Sequence, residues 1–473
     1  MKSDHALFVD FGSTFTKIVL VDLAAEAVVG RVQRPSTVES DITVALRDGL
    51  GDIERILGGR PVKNYRLASS SAAGGLRMVA IGLVPDLTVE AAKRAVLGAG
   101  AKVVGVYAYQ LTEKEIQELQ EAAPDIILLA GGTDGGDRDN VIRNADCLSR
   151  TDLQAPIIYA GNKAASDEVQ ALLIAGSKEV VIAENVMPEI GILKVDRVRS
   201  IIRELFIKRI IDAKGLKNAE RFIDSILMPT PTAVLNAAKL LAEGTPSESG
   251  FGELVIVDIG GATTYIHSIS LGAPTEAGVV QKGLPEPYVK RTVEGDLGMR
   301  HNASNIVQAV GKEKFHQAVL GIVPDLDQAV EKLGVIPESV PESEAEQVLD
   351  VKLARAAAGL AMERHAGVVE VVYGPMGQVY VQYGKDLRGI KTVIGTGGPL
   401  VFGPDPVAVL KETLYSEQKP FSLKPKEPAF YVDEKYLLYA IGLMADKYPD
   451  KALRIARKYL KKMPEGVPHG TSE

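Results

Sequence analysis

Asp10-Phe-Gly-Ser-Thr-Phe-Thr-Lys17 separates two short strand-like runs near the start of a 473-residue chain. Gly12 permits a tight hairpin turn that a Cβ would obstruct. Ser13 and Thr14 can offer hydroxyls and backbone N–H groups to phosphate oxygens, and Lys17 can supply a cation. Asp10 would repel phosphate but can hold Mg²⁺ through water. Taken alone, the stretch is more typical of an ordinary surface hairpin, with a phosphate-binding hairpin as the alternative.

A second stretch repeats this layout later in the chain: Asp258-Ile-Gly-Gly-Ala-Thr-Thr264. Gly260 and Gly261 would let the backbone approach a phosphate closely, and Thr263 adds a hydroxyl donor. Asp258 would be a second ligand to the water shell of Mg²⁺. An ordinary hairpin also explains this stretch taken alone.

A third stretch, Gly395-Thr-Gly-Gly-Pro-Leu400, follows a buried-strand pattern and precedes a helical one. Gly397 and Gly398 would let the chain pass flat beneath an adenine or a ribose. A simple strand-to-helix turn explains one glycine well and three poorly. The three stretches come in a fixed order, each after a hydrophobic strand, and this strengthens the phosphate interpretation.

Residues from about 76 to 186 alternate strand-like and helical runs, which predicts a parallel sheet with helices on its faces. Leu128-Leu-Ala-Gly-Gly-Thr-Asp-Gly-Gly136 ends one of these strands, where ligands bind in such sheets. Gly132, Thr133 and Asp134 are therefore candidates for a second site or a partner contact. We expect Asp134 to be exposed and mobile; the alternative is a turn whose aspartate caps the next helix.

Three further helices are predicted at Pro188–Ile211, Pro231–Gly244 and Asp433–Ala445. Ala440 and Gly442 are small enough for a close crossing of two helices. Lys419–Pro428 is rich in lysine and proline and is typical of a linker.

The chain has 54 basic and 61 acidic residues, a net charge of −7, which gives no electrostatic footprint for nucleic acid or an anionic membrane. It has no signal-peptide pattern and no apolar run long enough to span a bilayer, so we expect a cytoplasmic protein with no membrane partner. One cysteine, Cys147, excludes a disulfide framework within the chain and a four-thiolate metal site.

The three stretches resemble the motifs of the actin, sugar-kinase and heat-shock-chaperone ATPase superfamily. The resemblance implies an α/β protein with two lobes built from duplicated ribonuclease-H-like domains, and with ATP and Mg²⁺ between them. It implies catalytic and metal-organising roles for Asp10, Lys17 and Asp258. It implies nucleotide contacts from the following residues: Gly12, Ser13, Thr14, Gly260, Gly261, Ala262, Thr263, Gly395, Gly397 and Gly398.

On this basis the chain is divided into two lobes and an insertion, with an α/β subdomain inserted in the first lobe. The boundaries are 1–75, 187–235 and 429–473 for the first lobe, 76–186 for the insertion, and 236–428 for the second lobe. One departure matters: the chaperones place an acidic residue before the first connecting helix, and this chain has Thr230 there. Slow hydrolysis, or another carboxylate in that role, is therefore expected.

Four segments resemble the MutL family encoded beside glutamate mutase, also called GlmL and distinct from the DNA mismatch-repair MutL. They are FVDFGSTFTK (8–17), SSSAAGGLRM (69–78), LLAGGTDGG (128–136) and PTPTAVLNAA (229–238). The resemblance implies an accessory protein for adenosylcobalamin-dependent aminomutases, with mutase subunits as partners. The implied role is ATP-driven reactivation, in which damaged cobalamin is expelled. We hypothesise that the segment 76–186 contacts the mutase.

Other functions stay open at this point. A small-molecule kinase would need a base, for which Asp134 or Glu184 is available. An activator of radical dehydratases holds an iron–sulfur cluster with two cysteines per chain, and the single Cys147 argues against that class. A filament-forming protein and a homodimer are also compatible with the sequence.

Overall fold

A computed structural model describes residues 5–37, 40–59, 65–71, 76–213, 222, 224–374 and 377–464. The chain divides into two compact units. The larger contains Met1–Gly74, Asp212–Lys282 and Glu286–Glu473, and the smaller contains Gly75–Ile211 and Gly283–Pro285. Among the described residues, none of the helices combines the length and the apolar composition that a bilayer span requires.

The strands, in chain order, are β1 (His5–Phe11), β2 (Phe15–Asp22), β3 (Ala27–Pro35), β4 (Arg66–Ser70), β5 (Arg77–Gly82), β6 (Lys102–Ala108), β7 (Ile126–Leu129), β8 (Ile157–Tyr159), β9 (Val180–Ile182), β10 (Ser225–Pro229), β11 (Leu254–Ile259), β12 (Thr264–Ile269), β13 (Val279–Gln281), β14 (Val289–Glu294), β15 (Val368–Gly374), β16 (Gly377–Tyr383), β17 (Thr392–Thr396), β18 (Ala429–Asp433) and β19 (Leu460–Lys462).

The α-helices are α1 (Ile42–Ile56), α2 (Glu90–Ala99), α3 (Glu113–Ala122), α4 (Asp139–Ser149), α5 (Ser166–Ala175), α6 (Asp196–Ala213), α7 (Thr230–Glu243), α8 (Ala303–Val310), α9 (Lys312–Val319), α10 (Leu326–Val335), α11 (Glu344–His365), α12 (Gly398–Val401), α13 (Pro406–Lys411), α14 (Leu438–Met444) and α15 (Pro449–Tyr459).

Two sheets of the larger unit repeat one topology. The first has the order β3-β2-β1-β4-β10 and the second β14-β12-β11-β17-β18, with β19 added at its edge. In each, three antiparallel strands are followed by two parallel ones. This is the predicted fold, a two-lobed actin-like ATPase with duplicated ribonuclease-H-like domains. We call the first sheet with its helices lobe I and the second lobe II.

Helices α7 and α14 share one hydrophobic core with strands of both lobes. Where they cross, a Cβ on Gly442 would lie 1.7 Å from the carbonyl oxygen of Ala233. No side chain fits at that distance, because real Cβ atoms do not approach backbone so closely. The prediction that a small residue allows a close crossing is confirmed at Gly442.

The C-terminal part of the larger unit differs from the predicted boundaries. Asp433 ends a strand, Ala429–Asp433, rather than starting the predicted helix, which begins at Leu438. The strand pairs with β17, so it belongs to the sheet of lobe II and not to lobe I. The prediction that Lys419–Pro428 is a linker is also wrong, because part of the segment packs against the fold. Leu423 and Lys424 are buried, and Phe421 accepts a hydrogen bond from Val369, because this segment runs along the edge of β15.

The smaller unit is a five-stranded parallel sheet in the order β6-β5-β7-β8-β9. The predicted alternation of strands and helices is present. The unit continues to Ile211, beyond 186, because Val198, Ile202 and Phe206 of α6 are buried in its core. The predicted helix Pro188–Ile211 begins only at Asp196, since a turn precedes it. Residues 72–75, which belong to the segment SSSAAGGLRM (69–78), lie outside the described residues.

Candidate functional site

The first hairpin joins β1 to β2 at the predicted phosphate-binding stretch. Asp10 and Lys17 lie opposite each other, and the Lys17 ammonium is 2.7 Å from Asp10 Oδ2. The Gly12 N–H donates to the Phe15 carbonyl at 3.1 Å and closes the turn. A Cβ at Gly12 would lie 2.6 Å from that carbonyl oxygen. The turn therefore requires glycine at this position.

The second hairpin joins β11 to β12 and has the same turn. Gly260 N–H donates to the Thr263 carbonyl at 2.9 Å, and Asp258 lies opposite Tyr265. A Cβ at Gly261 would lie 2.3 Å from Thr14 Oγ1 of the first hairpin. The two hairpins therefore face each other, and glycine permits their close approach.

A cleft of about 350 Å³ opens beside the two hairpins. Its walls include these residues predicted as phosphate, metal or adenosine contacts: Asp10, Gly12, Ser13, Thr14, Lys17, Asp258, Gly260, Gly261 and Gly398. Four other predicted residues are not among those that line the cleft: Ala262, Thr263, Gly395 and Gly397.

The two glycines behind the adenosine wall have structural roles. Gly395 is an interior residue of β17 and packs against Leu400. Gly397 has a φ of +97°, and a Cβ there would lie 2.2 Å from the Ile259 carbonyl oxygen. Both residues shape the turn that presents Gly398 to the cleft.

Asp10 is buried within a polar network. Besides Lys17, its carboxylate accepts hydrogen bonds from the Thr230 hydroxyl and, at 3.4 Å, from Ser69. Burial opposes the charge of Lys17, but the Asp10 carboxylate raises the pKa of Lys17 above its ordinary value. Thr230, which stands where the chaperones have an acid, therefore stabilises Asp10 in this chain.

Asp258 has a different environment. Among the described residues, no group donates a hydrogen bond to its carboxylate. Burial raises its pKa to about 7; Lys17 opposes this change, while Asp10 and Asp433 add to it. Lys17 therefore compensates this carboxylate only in part, and a cation bound nearby would add to that compensation.

Sequence reasoning did not identify Asp433 as part of the site. It is buried at the end of β18, and it accepts hydrogen bonds from Leu437 and Leu438 N–H at the start of α14. Burial raises its pKa, and the backbone donors oppose that rise. A signal was available, since Ala429–Asp433 is a hydrophobic run that ends in aspartate, as the runs before Asp10 and Asp258 do.

Arg300 was also not predicted. Its guanidinium forms two hydrogen bonds with Asp350 of α11, at 3.0 and 2.7 Å. Its backbone N–H donates to the Gly261 carbonyl at 2.8 Å. Both Arg300 and Asp350 line the cleft. No sequence pattern indicated this contact, because the two partners are 50 residues apart.

The cleft fits a nucleotide with a magnesium ion. The hydroxyl of Thr14, which lines the cleft, is buried and has no hydrogen-bond partner among the described residues, and Gly261 keeps the space beside it free of a Cβ atom. The described residues include no cluster of three side chains able to ligate a metal directly. A magnesium ion held by Asp10 and Asp258 through water, together with phosphate oxygens, suits this donor set.

Asp134 is neither mobile nor a helix cap. Its carboxylate accepts hydrogen bonds from Lys163 N–H and from the Asn185 amide, both at 3.0 Å. The buried Asn162 amide ties the neighbouring Gly135–Asp137 backbone in place. In the first turn of α4, the Asn140 N–H donates to the Asp137 carboxylate rather than to Asp134. The glycines around Asp134, including Gly131 and Gly132 at positive φ, build an ordered loop.

Several known proteins are similar to this chain. The family model described as MutL protein matches residues 6–460. Protein MutL from Clostridium tetanomorphum is 48% identical over 461 residues, which cover 97% of this chain and 100% of that protein. Its similarity therefore extends over both units.

Similar solved structures include xylulose kinase from Rhodospirillum rubrum, at 14% identity and a TM-score of 0.33, covering 98% of this chain and 94% of the kinase. Another is the activator of the 2-hydroxyisocaproyl-CoA dehydratase from Clostridium difficile with bound ADPNP. It aligns at 9% identity and a TM-score of 0.29, covering 98% of this chain and 100% of the activator. The strand order, rather than these low scores, defines the fold.

Proposed function

Because the chain belongs to the MutL protein family, we propose that it binds ATP with Mg²⁺ in its cleft and reactivates an adenosylcobalamin-dependent aminomutase of the glutamate mutase type. The proposal that the protein binds ATP is supported by the cleft beside two facing hairpins. The aminomutase part rests on the family resemblance of its sequence motifs.

The residues of the cleft divide the work of binding. The backbone N–H groups and hydroxyls of Ser13 and Thr14, with the Lys17 ammonium, hold phosphate oxygens from lobe I. Gly260 and Gly261 hold them from lobe II. Mg²⁺ neutralises phosphate charge when it is bound. Asp10 and Asp258 orient its water shell, and Thr230 and Ser69 fix the Asp10 carboxylate.

Nucleotide binding is coupled to partner remodelling in this proposal. A ligand that contacts both lobes favours the conformation in which the hairpins are close. A partner that binds one conformation better than the other is then remodelled as the nucleotide changes. The smaller unit is the proposed contact for the mutase, since the larger unit accounts for the nucleotide cleft without it.

The decisive experiment measures recovery of an inactivated mutase. A glutamate mutase is inactivated with hydroxocobalamin and incubated with this protein, ATP and Mg²⁺. We expect activity to return only with all components present and with added adenosylcobalamin. No recovery would count against reactivation, and a substrate-dependent burst of ADP in a metabolite screen would favour a small-molecule kinase instead.

Point variants connect that recovery to the cleft. Asp10→Ala and Asp258→Ala should each weaken Mg-ATP binding, measured by titration calorimetry, and reduce recovery. Asp48→Ala, at an exposed position of α1, is the matched control and should behave as the wild type. Unchanged ATP turnover in both cleft variants would refute the metal assignment.

The smaller unit is tested separately. Replacing Gly75–Ile211 by a short glycine-serine linker should abolish association with the mutase while ATP binding is retained. The larger unit has its own hydrophobic cores, so retained ATP binding is expected. Retained mutase association in this variant would exclude the smaller unit as the contact.

A further inference from the structure

A small third sheet of the larger unit ends in an apolar ribbon that has no cover. The sheet has the order β13-β16-β15. Its outer part, residues 370–374 of β15 and 377–380 of β16, is a two-stranded arm that we call the ribbon. β13 pairs with residues 380–382 of β16 and so meets the ribbon only at Tyr380. Exposed apolar side chains of the ribbon are Val372, Tyr373, Val379 and Tyr380.

The exposed side chains lie on both faces of the ribbon. Val372 lies opposite Val379 on one face, while Tyr373 lies beside Tyr380 on the other. Tyr373 is 80% exposed. A two-stranded ribbon is marginally stable in water without further packing. An edge strand that stays single is normally protected by charge, and within β15 only Glu370 is charged.

The backbone of β15 is also open along part of its outer edge. Val369 N–H donates to the Phe421 carbonyl at 2.9 Å, so the segment around Phe421 covers the start of this edge. Backbone groups alternate in direction along a strand, so Val371 and Tyr373 point their N–H and carbonyl groups the same way as Val369. These two residues lie beyond the cover, and only another β-strand satisfies such groups in order.

We propose that β15 pairs in antiparallel fashion with β15 of a second copy of this chain, about a two-fold axis at Val372. Val371 of each copy then lies opposite Tyr373 of the other and exchanges backbone hydrogen bonds with it. The two Val372 side chains meet across the axis as a closely spaced pair. The two small sheets become one continuous sheet of six strands.

A second copy fits this edge in length and in charge. The open part of the β15 edge runs from Glu370 to the strand end at Gly374. With a two-fold axis at its centre, every residue of this part pairs with a residue of the same part in the second copy. Glu370 lies opposite Gly374 in this register, so the two carboxylates stay apart.

The test uses the fact that a residue on the axis meets its own copy. The wild type should sediment at twice the chain mass of 50.5 kDa. Val372→Lys and Val372→Glu should each weaken self-association by roughly tenfold or more, because like charges face each other and apolar burial is lost. An equimolar mixture of the two variants should recover the dimer, since lysine then faces glutamate.

Leu320→Lys is the control, because Leu320 is exposed and apolar but lies outside this sheet. It should sediment as the wild type does. A monomeric wild type overturns the proposal, and so does a dimer that Val372→Lys leaves intact. A mixture that stays monomeric while the wild type is a dimer overturns the two-fold register at Val372. Nucleotide binding should be unchanged throughout, so failure here is distinguishable from failure of the nucleotide cleft.

Discussion

The two hairpins share one turn geometry but carry different charge environments. Gly12 to Phe15 and Gly260 to Thr263 close through the same backbone hydrogen bond. In the first, Asp10 faces Lys17 and accepts hydrogen bonds; in the second, Asp258 faces Tyr265 across the strands. The backbone of the fold is thus duplicated, whereas the electrostatics are not.

This difference separates two roles that the sequence motifs make look alike. The Asp10 carboxylate is held by protein partners and is a fixed part of the first hairpin. The Asp258 carboxylate has none among the described residues, so its charge depends on what the cleft binds. The charge of Asp10 is balanced within the protein, whereas we expect the charge of Asp258 to be balanced by a bound ligand.

The largest expected contrast is in stability. Asp10→Asn leaves the Lys17 ammonium buried and unpaired, and should lower the free energy of unfolding by about 3–5 kcal/mol. At neutral pH Asp258→Asn should leave it unchanged or raise it, since it removes a carboxylate whose charge burial disfavours. Urea unfolding of both variants measures the contrast. Asp10→Asn combined with Lys17→Met should recover most of the loss, and equal losses in the two single variants would contradict the comparison.

Substitutions at Gly12 and Gly261 test the difference between the two hairpins further. Gly12→Ala forces a Cβ against backbone and should lower the free energy of unfolding by about 1–3 kcal/mol. Gly261→Ala meets only the movable Thr14 hydroxyl, so its cost in stability should be smaller. It should instead weaken ATP binding about tenfold in calorimetry, the equivalent of one lost hydrogen bond. Gly51→Ala, with free space around its Cβ, is the control.

Asp258 should also make stability depend on pH in the metal-free, nucleotide-free protein. Its pKa is about 7 when folded and 3.8 ordinarily. Between these values the folded state keeps a proton that the unfolded chain has released, so stability falls as pH rises from about 4 to 7. The slope from this group is at most about 1.4 kcal/mol per pH unit. Thermal unfolding across this range should show a shallower fall for Asp258→Asn than for the wild type.

The smallest effect concerns the counterpart of Lys17. Tyr265 lies opposite Asp258, and burial raises its pKa to about 12, while the Asp258 carboxylate adds to this rise and Thr263 opposes it. Tyr265→Phe should lower the free energy of unfolding by only about 0.5–1.5 kcal/mol. If urea unfolding showed a loss of unfolding free energy as large as that of Asp10→Asn, Tyr265 would contribute as much to stability as the Asp10–Lys17 ion pair, and the expected ranking would be wrong.

The sequence predicted the hairpins because their chemistry is local. An aspartate at a strand end, a glycine turn and hydroxyl residues lie within eight positions of one another, and each has a direct structural meaning. The fold of the two lobes followed from the same motifs through the superfamily resemblance. Gly442 was predicted as a crossing residue for an equally local reason, its lack of a side chain.

The remaining site residues depend on contacts between distant segments. Asp433 comes close to Asp258 because β18 pairs with β17, which in turn pairs with β11, and a helical interpretation of Asp433–Ala445 concealed this. Arg300 is placed by Asp350, and Thr230 by Asp10, which no local pattern encodes. Asp134 was misjudged because glycines predict freedom of the backbone, whereas Asn162 and Asn185 remove that freedom by hydrogen bonds from other loops.

The crossing of α7 and α14 at Gly442 also has a mechanical consequence. The two helices pack along most of α14 and come very close where Gly442 meets Ala233, and we take this contact as the fulcrum of a relative rotation. From Ala233 to the end of α7 at Glu243 the helix extends about 15 Å. A rotation of about 10° at the fulcrum would displace that end by nearly 3 Å, so the geometry amplifies a small change near the cleft into a larger one at the outer surface.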